Sequence, residues 1–176
     1  MHKFKRALTV LLAFAMLLAF SACGETASKE IVLDVFAPQQ ALGIVSTLVN
    51  DYHKVQPNVS IRITYDEGAI LAAKIEAGYN CDIFLSDDSY FLDWLDIAAD
   101  PEINLNRNDR IFTDTRKEIL TGPVNESYAA DGQTEATYSI AVVKPSVDKD
   151  AAVAFIDFFI SEDSNETFEE WGFARK

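Results

Sequence analysis

The chain has 176 residues and carries 28 acidic against 15 basic side chains, which gives a formal net charge of −13 at pH 7. This balance argues against nucleic acid as a partner, because binding to the phosphate backbone depends on clustered Lys and Arg. The length suits one domain that buries a hydrophobic core of its own.

The first residues have the composition of an export signal. Lys3, Lys5 and Arg6 precede an uncharged, largely apolar run over residues 7–20. The run is too short to span a bilayer comfortably as a permanent helix, and a cationic start followed by such a run is typical of a signal peptide. We therefore predict a signal peptide over residues 1–22 and an extracytoplasmic location for the remainder of the chain.

The sequence Phe-Ser-Ala-Cys-Gly at residues 20–24 resembles the lipobox of bacterial lipoproteins. It predicts that Cys23 is lipidated and that residues 23–30 form the lipidated cysteine and a polar tether. Several acyl chains would hold the protein at the bacterial cell membrane far more firmly than one. The alternative is an ordinary secretory signal whose cleavage site happens to contain a cysteine.

Strand and helix patterns alternate over residues 31–98, which we take as the first part of an α/β lobe. Near-continuous or alternating apolar runs predict strands, and apolar residues at helical spacing predict helices that pack on the sheet. The resulting order is βαβαβα, a doubly wound sheet whose strand ends should carry any ligand site. The predicted strands are 31–37, 59–65 and 81–86, and the predicted helices are 41–54, 68–77 and 87–96.

Residues 99–136 differ from the rest, because they are polar and contain only brief apolar pieces. We expect an irregular segment there. Regular patterns resume over residues 137–176, with a strand at 138–143, a helix at 149–160 and a last helix ended by Gly172. Because the late strand is as apolar as the first one, we expect both to lie in the same sheet.

Other polar clusters carry weaker signals. Ser-Asp-Asp-Ser at 86–89, with Asp82 and Asp93 nearby, offers oxygen ligands for Ca²⁺ or Mg²⁺, but the spacing lacks the glycine and glutamate of a calcium loop, and a solvated helix start is the alternative. His53 has no nucleophile motif beside it, which favours a surface role over catalysis. We expect no catalytic residue, no metal and no cofactor.

Several segments together resemble the periplasmic molybdate-binding proteins, which are substrate-binding components of ABC importers. The resemblance implies a type II periplasmic-binding-protein-like α/β fold. The segments, in their order and spacing, are Val-Phe-Ala at 35–37, Pro-Asn-Val at 57–59, Leu-Ala-Ala-Lys-Ile-Glu-Ala-Gly at 71–78, Cys-Asp-Ile-Phe-Leu-Ser at 81–86, Tyr-Ser-Ile-Ala-Val-Val-Lys at 138–144, Ala-Ala-Val-Ala-Phe-Ile at 151–156 and Trp-Gly-Phe at 171–173.

The resemblance also implies a ligand site. In this family neutral donors hold the oxyanion, with help from helix N-termini, whose N–H groups and partial positive charge attract anions. The family's Ser after the first strand, Ser before the second helix and Tyr in the late strand correspond to Gln40, Gly68 and Tyr138. Only the Tyr is kept, although Gln40 offers an amide and Gly68 offers a backbone N–H.

Two departures from the family bear on function. Asp66 and Glu67 place carboxylates at the start of the second helix, where they would either cap the helix or repel an oxyanion. Between Leu120 and Tyr138 the chain lacks the alternating strands and helices of the family's second lobe. We therefore expect essentially one lobe, with residues 99–136 replacing the second.

Two functional hypotheses follow, and neither is an enzyme. The first is a solute-binding lipoprotein of an ABC importer for molybdate or a related oxyanion, with degenerate binding, whose partners are the anion, the ABC permease and, through Cys23, the membrane. The alternative is a single-lobed lipoprotein that binds no small ligand and interacts with a membrane or extracellular protein.

Overall fold

The computed structural model describes residues 29–96, 110–124 and 130–176. The predicted signal peptide and Cys23 lie outside these residues. Six strands are present: β1 (Ile31–Pro38), β2 (Val59–Asp66), β3 (Ile83–Ser86), β4 (Lys117–Pro123), β5 (Glu135–Val142) and β6 (Ala174–Arg175). The helices are α1 (Leu42–Val55), α2 (Gly68–Glu76), α3 (Ser89–Leu95), α4 (Lys149–Phe159) and α5 (Asn165–Glu170).

All six strands form one sheet in the order β2-β1-β3-β5-β4-β6. Strand β1 runs parallel to β2 and β3, whereas β5 runs antiparallel to both of its neighbours, β3 and β4. The prediction that the late strand joins the sheet of the first strand is confirmed. One edge of the sheet, hereafter the cleft edge, therefore carries the carboxyl ends of β1 to β4 and the amino end of β5.

Helices cover both faces of the sheet, as a doubly wound α/β arrangement requires. On one face α1, α4 and α5 pack over Leu33, Val35 and Tyr138 of the sheet. Among the helix residues buried in this core is Phe155, which is 1% exposed. On the other face α2 and α3 pack over a smaller cluster around Phe84. The predicted α/β fold class is confirmed, and the alternating strand residues explain why each helix has an apolar layer beneath it.

Strand β4 lies inside the segment that we expected to be irregular. A bulge interrupts its pairing with β5 between Glu118 and Leu120, so that Ile119 and Leu120 are both buried. A bulge breaks the two-residue period by which a strand is recognised in sequence. The two-residue strand β6 pairs with the outer side of β4 at Leu120 and Thr121.

Strands β4 and β5 are joined at the cleft edge by residues 124–134, of which 125–129 are not described. The family resemblance would place the second lobe within this part of the chain. The predicted domain organisation, in which residues 99–136 replace the second lobe between the segments 31–98 and 137–176, stays a prediction. Among the described helices, none is long and apolar enough to traverse a lipid bilayer.

Candidate functional site at the cleft edge

The candidate site is built from the residues that follow the strand ends at the cleft edge. Gln40 lies in a short 3-10 turn directly after β1, and Gly68 begins α2 after β2. Asp87 follows β3, and Tyr138 lies midway along β5, level with the end of β3, because its neighbour Ser139 pairs with Ser86. The order of strands therefore places Gln40 between Gly68 and Asp87 along the edge, with Tyr138 beyond Asp87.

Gly68 is buried, and the space where its side chain would lie is already filled. A Cβ atom on Gly68 would be 2.9 Å from the ring of Phe91 and 3.0 Å from Oδ1 of Asp87. Both distances are shorter than an ordinary contact, so only glycine fits at this position. Phe91 and Asp87 therefore pack directly against the backbone at the start of α2, an approach that only glycine permits.

The carboxylates of Asp66 and Glu67 do not cap α2, so the capping interpretation is wrong. Glu67 occupies the N-cap position but its side chain makes no capping hydrogen bond. Asp66 accepts hydrogen bonds from the backbone N–H of Glu67 at 3.0 Å and from Nζ of Lys74 at 2.8 Å. The ammonium group of Lys74 and that N–H lower the pKa of Asp66. Lys74, in the last turn of α2, thus pairs with Asp66 and offsets its charge.

Asp87 is the site residue that sequence reasoning missed. We expected it at a solvated helix start, and that expectation is wrong, because its side chain is only 4% exposed. Its Oδ1 lies against Gly68 at the first residue of α2, where the helix carries partial positive charge. The sequence signal for such a residue is an acidic side chain immediately after a buried strand of a doubly wound sheet.

The neighbouring Asp88 has a different role. Its side chain accepts a hydrogen bond from the backbone N–H of Tyr90 at 2.9 Å and so caps α3. Asp88 therefore satisfies one of the donors that every helix N-terminus leaves unpaired. Of the two adjacent aspartates, one serves a helix cap and the other is directed into the protein.

Tyr138 is fully buried within the core. Its hydroxyl donates a hydrogen bond to the carbonyl oxygen of Pro123 at 2.5 Å, and its ring meets that of Phe173 edge-on with centroids 5.0 Å apart. Burial, followed by the charge of Asp87, raises the pKa of Tyr138 well above its ordinary value. The hydroxyl would reach a ligand only by giving up its bond to Pro123.

Gln40 is half-buried, and its Oε1 is buried without a hydrogen-bond partner among the described residues. Leaving a buried carbonyl oxygen unsatisfied costs free energy, so this atom marks a place where a donor would be favourable. Gln40, Gly68 and Tyr138 thus follow or lie beside strand ends at one edge of the sheet. Asp87 packs against the Gly68 position, and its charge acts on Tyr138.

A cavity of about 170 Å³ opens beside Asp87 between the start of α3 and the start of β5. Its volume is below the range of pockets that hold drug-sized molecules and suits a small ion or solute. The cavity is lined by Asp87, Asp88, Ser89, Val124, Gln133, Ala136 and Thr137.

The carboxylates that the sequence suggested as ligands of a cation interact with separate groups of the protein. Oδ2 of Asp82 accepts the backbone N–H of Asp34 at 2.8 Å, and Asp93 pairs with Arg116 at 2.5 Å. Within residues 29–96, 110–124 and 130–176, no three His, Cys, Asp or Glu side chains come together as metal ligands. Nδ1 of His53 lies 3.5 Å from the carbonyl oxygen of Val59.

Neither family models nor curated proteins match the sequence, but solved structures share its fold. The first is described as the substrate-binding domain of a molybdenum ABC transporter from Clostridium difficile, with a TM-score of 0.67, 17% identity, and coverage of 83% of this chain and 99% of that one. The Azotobacter vinelandii periplasmic molybdate-binding protein has a TM-score of 0.62 and 10% identity, covering 81% and 98% of the two chains.

A third similar structure is the sulfate-binding protein SubI of Mycobacterium tuberculosis, with a TM-score of 0.60, 9% identity, and coverage of 82% of this chain and 87% of that one. At these identities the comparisons establish the fold and nothing finer. The resemblance to periplasmic molybdate-binding proteins predicted from sequence is confirmed at that level, and all three neighbours are binding proteins or domains by description.

Proposed function

We propose that this chain is an extracytoplasmic solute-binding protein for an oxyanion, working with an ABC importer. The observation that carries the proposal is the placement of the start of α2 at the cleft edge, in a fold shared with the three binding proteins or domains described above. Helix N-termini attract anions through their N–H groups and partial positive charge. The descriptions of these neighbours name molybdenum, molybdate and sulfate respectively.

The proposal includes an anchor and a partner. Lipidation of Cys23 would hold the protein on the outer face of the bacterial membrane, close to the permease that receives the solute. Gln40, the backbone of Gly68 and Tyr138 are the proposed contacts, with Tyr138 requiring release of its hydroxyl from Pro123. The overall acidity of the chain disfavours anions at long range, so local donors must provide the attraction.

Calorimetry on the mature protein extracted from membranes tests this function. Molybdate, tungstate, sulfate and phosphate would each be titrated into the protein at neutral pH, with chloride as the ionic-strength control. We expect saturable binding of at least one tetrahedral oxyanion with one ion per chain. If none of the four produces heat beyond the chloride control, the solute-binding proposal is wrong.

The second candidate is a single-lobed lipoprotein that binds another membrane or extracellular protein. The observation in its favour is the short 124–134 connection, which occupies the place where a second lobe would have to be inserted to close over a ligand. Exposed apolar side chains of the first helical turns, Leu42, Ile70 and Tyr90, border the same edge. A photo-crosslinker at Tyr90 should then capture one defined protein in intact cells, and Leu42→Asp should abolish the capture while oxyanions give no heat.

A further inference from the structure

The ring of Phe173 fills the space where a side chain on Gly122 would lie. A Cβ on Gly122 would overlap this ring, and Phe173 is only 4% exposed. Gly172 has a φ of 75°, which lets the chain turn back after α5, so that β6 pairs with β4. The backbone N–H of Phe173 donates to the carbonyl oxygen of Phe168 at 2.8 Å. The segment after α5 therefore places one aromatic ring directly on the backbone of β4.

The same ring packs against Tyr138. The two ring centroids are 5.0 Å apart and the ring planes are inclined by 71°, the edge-to-face arrangement that aromatic pairs prefer. The residue after Gly122 is Pro123, whose carbonyl oxygen accepts the hydrogen bond of the Tyr138 hydroxyl at 2.5 Å. Two successive residues of β4 thus hold the Phe173 ring and the Tyr138 hydroxyl.

The hydroxyl of Tyr138 has a single proton to donate. An oxyanion at the proposed site needs that proton, so the carbonyl oxygen of Pro123 competes with the anion for it. A ligand that binds only one of two states has an apparent affinity reduced by the fraction of molecules in that state. Packing that favours the bond to Pro123 therefore weakens binding of the anion.

We propose that Phe173 is a positioning residue: seated on Gly122, it holds the Tyr138 hydroxyl on Pro123 and so limits the access of an oxyanion to that hydroxyl. The effect on the anion rests on the proposed solute-binding function, whereas the packing of the two rings does not. Because coupling between two sites is reciprocal, an anion that draws Tyr138 away from Pro123 also loosens Phe173 on β4.

The test compares Phe173→Leu with the matched variant Phe168→Leu in the mature protein. Both phenylalanines are buried in the same core, but the ring of Phe168 packs against Phe159, with centroids 5.8 Å apart. The first measurement is an alkaline titration followed by NMR of tyrosine isotope-labelled at Cζ, in which Tyr138→Phe identifies the signal of Tyr138. The second is calorimetry with molybdate, tungstate, sulfate and phosphate at neutral pH.

We expect Tyr138 to ionise at a lower pH in Phe173→Leu than in the unmodified protein, because burial raises its pKa and the variant reduces that burial. The most tightly bound of the four anions should bind about threefold more tightly or better, since the competing bond to Pro123 is weakened. Phe168→Leu should change neither result.

Two further measurements keep the proposal testable if Phe173→Leu does not fold. Gly122→Ala pushes the ring of Phe173 away from the other side and should reproduce both effects. In the unmodified protein, addition of the anion should shift the ring resonances of Phe173 and leave those of Phe168 in place.

The outcomes separate this role from the function on which it rests. An unchanged titration of Tyr138 in Phe173→Leu and Gly122→Ala, or an equal change in Phe168→Leu, would overturn the positioning role. An altered titration without tighter binding of the anion would overturn the control of access but keep the oxyanion function. If no protein binds any of the four anions, the solute-binding function is wrong and the control of access falls with it, while the titration still decides whether Phe173 holds the hydroxyl.

Discussion

At the scale of single residues, position 68 tolerates no side chain. Gly68→Ala would place a methyl group 2.9 Å from the ring of Phe91 and 3.0 Å from Oδ1 of Asp87. We expect a loss of about 1–3 kcal/mol in the free energy of unfolding, although alanine is normally favoured over glycine in a helix by up to about 1 kcal/mol. Urea denaturation measures the change, and a more stable variant would contradict the packing described for this corner.

The same argument applies to Gly68→Ser, which would restore the hydroxyl that the family resemblance expects at this position. The added Cβ would meet the same two neighbours whatever the hydroxyl does. A serine therefore cannot simply be added back to this helix without displacing Asp87 or Phe91.

Tyr138 predicts a specific alkaline dependence of stability. Because burial and the charge of Asp87 raise its pKa, the folded protein keeps the phenol protonated, whereas the unfolded chain ionises above about pH 10. Its contribution is complete below that pH and is lost as the pH rises toward the folded-state pKa. Tyr138→Phe should therefore show a weaker decline of the unfolding free energy between about pH 9 and about pH 11.

Tyr138→Phe should also lose about 1 kcal/mol at neutral pH, because the bond to the carbonyl of Pro123 disappears. Tyr52 and Tyr65 also have raised pKa values through burial and keep part of the alkaline slope. The control is Tyr79→Phe, since Tyr79 is 63% exposed. An identical pH profile for Tyr138→Phe and the unmodified protein would be the contrary result.

At the scale of elements, the C-terminal segment is fastened to the first helix through a glycine. A Cβ on Gly43, in the first turn of α1, would overlap the indole of Trp171, which follows α5. Trp171 is 45% exposed, so its side chain can move outward at the cost of its contact with α1. The contact couples two helices that are distant in sequence.

A double-mutant cycle tests this coupling. Gly43→Ala alone should lower the melting temperature, because the methyl group displaces the indole. In the Trp171→Ala background the same change should be neutral or stabilising by up to about 1 kcal/mol, since only the helix propensity of alanine remains. Equal effects of Gly43→Ala in both backgrounds would show that the two residues do not interact.

Elements whose apolar residues recur with a regular helix or strand period were predictable from the sequence, whereas irregular or very short elements were not. The pattern over residues 149–160 correctly predicted a helix, and the structure shows that α4 buries Ala152, Phe155 and Phe159. Strand β4 contains a bulge and β6 has only two residues, so neither strand shows the two-residue hydrophobic period from which a strand is predicted. The family resemblance supplied Gly68 and Tyr138 as candidates, whereas the burial of Asp87 depends on its packing against Gly68, a residue that is distant in sequence and has no side chain.

At the scale of the whole molecule, the anchor proposed at Cys23 makes a direct prediction. Mass spectrometry of the mature amino terminus should find acylated Cys23, and Cys23→Ser should release the protein into the soluble fraction, because the acyl chains provide the membrane affinity. A mature chain that begins elsewhere without modification would favour the ordinary secretory signal. Cys81→Ser is the matched control, because that thiol is buried in the folded domain.

The direction of β1 fixes how an anchored molecule would stand. The chain enters β1 at Ile31, and this strand of 8 residues runs to the cleft edge, a distance of about 26 Å at the usual rise per residue. A tether attached at Ile31 therefore leaves the cleft edge as the end farthest from the lipid, facing the surrounding medium. Such a protein would bind solutes at its membrane-distal end. It would have to reorient on its tether to deliver a solute to a permease in the same membrane.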